Sequence, residues 1–67
     1  MIYLLFNENQ QAFHFDYPGE GKPLNDWRRL AAMPVEKALK FIKTLNTREY
    51  METSDIQIKL NQFRYGN

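Results

Sequence analysis

The chain has 67 residues, 43% of them apolar and 15% aromatic, which is enough for one hydrophobic core and too little for a second. It contains no cysteine, which excludes disulfide staples, thiolate metal sites and cysteine nucleophiles together and suits a reducing, cytoplasmic setting. The net charge is only +1, unlike the basic balance of ribosomal proteins of this size, yet Trp27 to Arg48 holds six basic residues and one acidic one, a local +5 that leaves −4 elsewhere.

Met1 to Phe6 is an apolar run with no basic region before it, and it is far too short for a signal-peptide core or a membrane span. Ile2 to Phe6 favours a strand, and Ala12 to Tyr17 alternates with period two across Phe13, Phe15 and Tyr17. The short polar stretch Asn7-Glu8-Asn9-Gln10 between them predicts a β-hairpin. Pro18, Gly19, Gly21 and Pro23 then break regular structure, and Asn25 or Asp26 offers a cap to a following helix.

Trp27, Leu30, Ala31, Val35, Ala38, Leu39, Ile42 and Leu45 share one helical phase that continues across Pro34. Proline suits a first helical turn and disfavours the α conformation at Met33. The expectation is therefore a short helix at 26–32 meeting a longer one at 34–45, with Leu39 and Ile42 at the centre of the apolar arc. Lys37, Lys40 and Lys43 face water, and Glu36 and Lys40 form an i,i+4 pair.

The last third carries two patterns. Ile56, Ile58 and Leu60 alternate like a strand, while Ile56, Leu60 and Phe63 fit a helix capped by Ser54 with Gln57 at its third position. The β-branched isoleucines and the need of a lone hairpin for a third strand favour the strand. The expected architecture is a small single α+β domain over 1–67, in the order ββααβ: an N-terminal β-hairpin, a kinked helix or two short helices, and a C-terminal strand. The helices cover one face of an antiparallel sheet.

No constellation reaches the standard of a catalytic, cofactor or metal site. His14 and Asp16 share a strand face, but nothing places the one serine, Ser54, beside them. Gly19-Glu20-Gly21-Lys22 departs from a phosphate loop, which needs GxxxxGK followed by Ser or Thr where this chain has Pro23. Glu49, Glu52 and Asp55 are spaced at threes without EF-hand spacing, and a solvated acidic connector accounts for them.

Two surfaces remain. Arg28, Arg29, Lys37, Lys40, Lys43 and Arg48 form a basic segment able to meet phosphates or an acidic protein, against the ordinary alternative of a solvated helix face. Tyr3, Leu5 and His14 are expected on the sheet face away from the helices, where they serve as a dimer or partner contact. The functional expectation is a non-enzymatic protein that docks on a larger protein or nucleoprotein with an acidic surface. One such role is a phage- or bacterium-encoded inhibitor or modulator of a nucleic-acid or defence machine. The alternative is a small nucleic-acid-binding protein using the basic helical segment 27–48, and a homodimer accords with the small core.

Overall fold

The computed structural model describes residues 1–19 and 26–66. Five elements follow in the order βββαα: β1 (Ile2–Asn7), β2 (Ala12–Asp16), β3 (Arg28–Met33), α1 (Val35–Lys43) and α2 (Thr53–Tyr65). The strands form an antiparallel sheet in the order β2-β1-β3. The α+β class and the hairpin stand as expected, whereas the order ββααβ does not. Asn25 and most of the glycine-rich segment lie outside the described residues.

β1 is the central strand, and its uninterrupted apolar sequence follows from that position. Ile2, Leu4 and Phe6 point to one face and join the main core; Leu5 points to the other and is also buried, at 2% exposure. Leu4 pairs with Phe15 and Phe6 with Phe13, whose rings lie 4.9 Å apart. On the other side Ile2 pairs with Met33 and Leu4 with Ala31, and the register then shifts so that Leu5 pairs with Arg29. Leu30 is the extra residue of this bulge and is buried in the core.

The expected helix at 26–32 is β3 from Arg28 onward. Arg, Leu and Ala favour helix on propensity alone, but this stretch is too short to sustain an isolated helix, and Pro34 disfavours α geometry at Met33. Pairing with the open edge of β1 satisfies a row of backbone groups that the hairpin alone would leave exposed. The helical phase shared by Trp27, Leu30 and Ala31 with α1 is a coincidence of spacing.

α1 begins after Pro34, whose extended backbone (φ −62°, ψ 147°) sets the entry and whose carbonyl accepts from Lys37 and Ala38. It ends at Thr44, whose hydroxyl donates to the Phe41 carbonyl at 2.6 Å. Ala38 and Phe41 are fully buried, while Ile42 is half-buried and Leu39 is 46% exposed. The core face is thus rotated from the expected centre on Leu39 and Ile42 toward Ala38 and Phe41. Phe41, itself part of the expected apolar arc, meets Phe63 of α2 at 5.5 Å, so α2 packs on the Phe41 side of that arc rather than on its Leu39 side.

The expected C-terminal strand is α2. Ile56 and Leu60 are buried and Phe63 half-buried, an i, i+4, i+7 stripe, while Ile58 turns to the opposite side at 56% exposure. A strand would have put Ile56, Ile58 and Leu60 on one face. The helix ends at Gly66, whose left-handed φ of 77° is costly for other residues and whose N–H donates to the Gln62 carbonyl.

Ser54 does not cap α2. Glu52 stands at the N-cap without a side-chain bond, and Glu8 from the hairpin loop supplies the acceptor instead. Its carboxylate takes the Thr53 N–H at 2.6 Å through Oε1 and the Tyr50 hydroxyl at 3.0 Å through Oε2. Beside it Gln11 brackets the Met51 backbone: Nε2 donates to the carbonyl at 2.8 Å and Oε1 accepts from the N–H at 2.7 Å. Gln11 adopts a left-handed φ of 53°, and Asn7 shapes the turn by accepting from the Gln10 N–H. Four hydrogen bonds thus latch the hairpin loop to the α1–α2 connection and the start of α2.

Candidate functional site

Cross-strand partners in an antiparallel sheet project to the same face, so the register sorts the outer surface. Tyr3 lies opposite Asp16 on one side and Ala32 on the other, and Leu5 lies between His14 and Arg29. These residues face away from the core cluster that contains Ile2, Leu4, Phe6, Ala38, Phe41, Ile56 and Leu60. The structure therefore brings the expected trio Tyr3, Leu5 and His14 together and adds Arg29 from the basic segment.

The surface is layered. Leu5, 2% exposed, is its floor rather than an exposed contact, contrary to the expectation from strand alternation. The Arg29 guanidinium carbon sits 4.1 Å from the centre of the Tyr3 ring. The His14 and Trp27 rings pack with centroids 5.7 Å apart. Tyr3 and Trp27 are half-exposed, Arg29 and His14 exposed, and Asp16 is at the margin of burial at 9%. A cation over an aromatic face contributes about 0.5–1 kcal/mol at such sites, which holds the planar donor fork of Arg29 in one place. Trp27 precedes the strand, and sequence reasoning placed it on a buried helix face.

The basic segment is divided by the fold. Arg29 is on the outer face, whereas Lys37, Lys40 and Lys43 project from α1 in the helical layer that covers the inner face. Arg28 lines a polar cleft of about 240 Å³ with Glu8, Asn9, Asp26 and Thr53, and Arg48 is exposed in the α1–α2 connection. Lys37 and Lys40 border a groove of about 390 Å³ with Pro34, Glu36 and Phe63. The six cations do not make one continuous face.

The other chemical candidates are placed as follows. Ser54 stands in the first turn of α2, across the sheet from His14, so the three side chains of a hydrolytic triad are not assembled. Glu49, Glu52 and Asp55 line one small cleft together with Lys59. Among the described residues no group of three or more His, Cys, Asp or Glu has metal-holding geometry. Of the glycine-rich turn only Gly19 is described, with a left-handed φ of 93°. Among the described residues two ionisable groups are displaced, both in the latch. The hydrogen bonds from Thr53 and Tyr50 hold the Glu8 carboxyl below its ordinary range, and the bond to Glu8 raises the Tyr50 hydroxyl.

Among the described residues no helix is long and apolar enough to cross a membrane. No protein-family model, curated protein or solved structure matches the chain.

Proposed function

We propose that the protein is a non-enzymatic docking module that engages an acidic surface on a larger protein through the outer face of its sheet. The observation that carries this reading is the assembly of Tyr3, His14, Trp27 and Arg29 over a buried Leu5. Trp, Tyr and Arg are the residue types that concentrate binding energy at protein interfaces, and here they are held by one another before any partner arrives. Arg29 supplies the fork that matches a carboxylate, and the aromatic rings supply area at little cost in rotamer freedom. An inhibitor or modulator of a nucleic-acid or defence machine in the cytoplasm is a role that such a compact module fits.

Binding of single-stranded nucleic acid is the second reading, favoured by aromatic rings beside an arginine on an open antiparallel sheet. It uses the sheet rather than a basic helix over 27–48, since Arg28 and Arg29 belong to β3.

The test is affinity capture from a cell lysate with the parent chain, an outer-face variant (Trp27→Ser with Arg29→Glu) and a helix variant (Lys37, Lys40 and Lys43 to Glu). A partner held by the parent and the helix variant but lost by the outer-face variant supports the proposal. A partner kept by the outer-face variant overturns it. Nuclease treatment that releases the captured material selects the nucleic-acid reading.

A further inference from the structure

The two edges of the sheet are guarded unequally. β3 carries the bulge at Leu30 and two arginines, features that discourage another strand from pairing there. β2 reads Ala-Phe-His-Phe-Asp, without lysine, arginine, proline or a bulge in its register with β1. Beside this edge, which no other described strand pairs, runs an open groove of about 490 Å³ lined by Phe13, His14, Phe15, Tyr17 and Ile42.

The flank of α1 above the groove continues the apolar surface. Ile42 faces β2 and Phe41 faces α2, so the side of α1 beyond Ile42 belongs to the β2 edge. Leu39 and Lys43 lie along that side, and Glu36 stands at its outer margin, where it also borders the groove of Lys37, Lys40 and Phe63; the 46% exposed Leu39 sits between charges of opposite sign. A two-fold axis makes this arrangement complementary to itself. Antiparallel pairing of two β2 strands about His14 sets Phe13 opposite Phe15 of the second copy. Antiparallel approach of two α1 helices about Leu39 sets each Glu36 near Lys43 of the other.

We propose that the chain forms a two-fold homodimer through the β2 edge and the Leu39 flank of α1, giving a continuous six-stranded sheet. The occupant is a second copy because the strand edge, the apolar centre and the bracketing charges all satisfy one symmetry operation. Tyr3, expected earlier at a dimer contact, lies on the central strand and stays outside this interface. The two outer platforms then share one broad sheet face, and self-association does not depend on what binds there.

Sedimentation equilibrium across a concentration series tests the proposal, with circular dichroism as the check on folding. The parent should be dimeric at about 100 µM, as expected of a small interface with micromolar affinity. Leu39→Glu should weaken association about tenfold or more. Glu36→Lys and Lys43→Glu should each weaken it, and combining them should restore it, since the ion pairs re-form with exchanged signs. The absence of cysteine allows a second measurement that does not rely on disruption: mild oxidation of Leu39→Cys should yield a covalent dimer, whereas Ile58→Cys on α2 should not. A parent that is monomeric at that concentration overturns the proposal. So do failure of the charge exchange to restore dimers and equal cross-linking of the two cysteine variants.

Discussion

Replacing Gln11 by alanine tests whether the hairpin loop holds α2 in place. The substitution removes three hydrogen bonds: Nε2 to the Glu8 carbonyl, Nε2 to the Met51 carbonyl, and the Met51 N–H to Oε1. All three are partly buried, and a typical intramolecular bond contributes about 0.5–1.5 kcal/mol net, so the loss should total about 2–3 kcal/mol. In a domain of this size each kcal/mol moves the melting temperature by about 4–8 °C, which predicts a fall of at least about 8 °C. Gln11→Gly removes the same bonds but relieves the left-handed backbone at φ 53°, so it should be milder than alanine by about 0.5–1 kcal/mol. Thermal unfolding followed by circular dichroism, with urea titration for the free energy, measures both. An alanine variant that melts within about 2 °C of the parent, or a glycine variant less stable than the alanine one, would refute the latch.

The remaining predictions concern the core, the acid limb of stability and the lysine face. Leu60→Ala, at a fully buried position, should cost about 2–5 kcal/mol in urea unfolding, while Leu39→Asp, on a surface flank, should cost less than about 1 kcal/mol in the monomer. Glu8 is held below its ordinary value of 4.5 by Thr53 and Tyr50, so its stabilising contribution is present above that value and lost as pH falls through the lower folded-state value. Glu8→Gln should therefore flatten the acid side of a stability-versus-pH curve, and an unchanged curve would remove Glu8 from the latch. Reversing Lys37, Lys40 and Lys43 to Glu should leave the circular dichroism spectrum and melting temperature close to the parent's, because exposed charges on a helix contribute little to the fold.

What the sequence made legible was local. The hairpin follows from the β-favouring run Ile2 to Phe6, a polar loop and period-two alternation, and α1 follows from Pro34 and its apolar arc. β3 was hidden because Arg28 to Ala32 prefers helix on its own and becomes a strand only in the presence of the β1 edge. α2 was misread because Ile56, Ile58 and Leu60 alternate, although Phe63 and the closing Gly66 already marked a helix. Leu39 was placed in the core because the apolar arc was centred without knowing that α2 packs on the Phe41 side. The latch joins residues about forty positions apart in sequence, and no local pattern announces it. Strand alternation alone puts Tyr3, Leu5 and His14 on one outer face, whereas Arg29 and Trp27 join them only once β3 replaces the expected helix.

The docking account rests on the outer sheet face, and the most direct measurement is the affinity of the captured partner for three purified chains over a range of salt concentrations. The parent and the Lys37/Lys40/Lys43→Glu variant should bind with similar dissociation constants, the lysine changes appearing mainly in the association rate. Arg29→Glu, with Tyr3 retained, should weaken binding by about 2 kcal/mol or more, roughly thirtyfold, by replacing a held guanidinium with a like charge facing an acidic surface. Full affinity in the Arg29 variant together with lost affinity in the lysine variant would contradict the account and place the functional surface on α1.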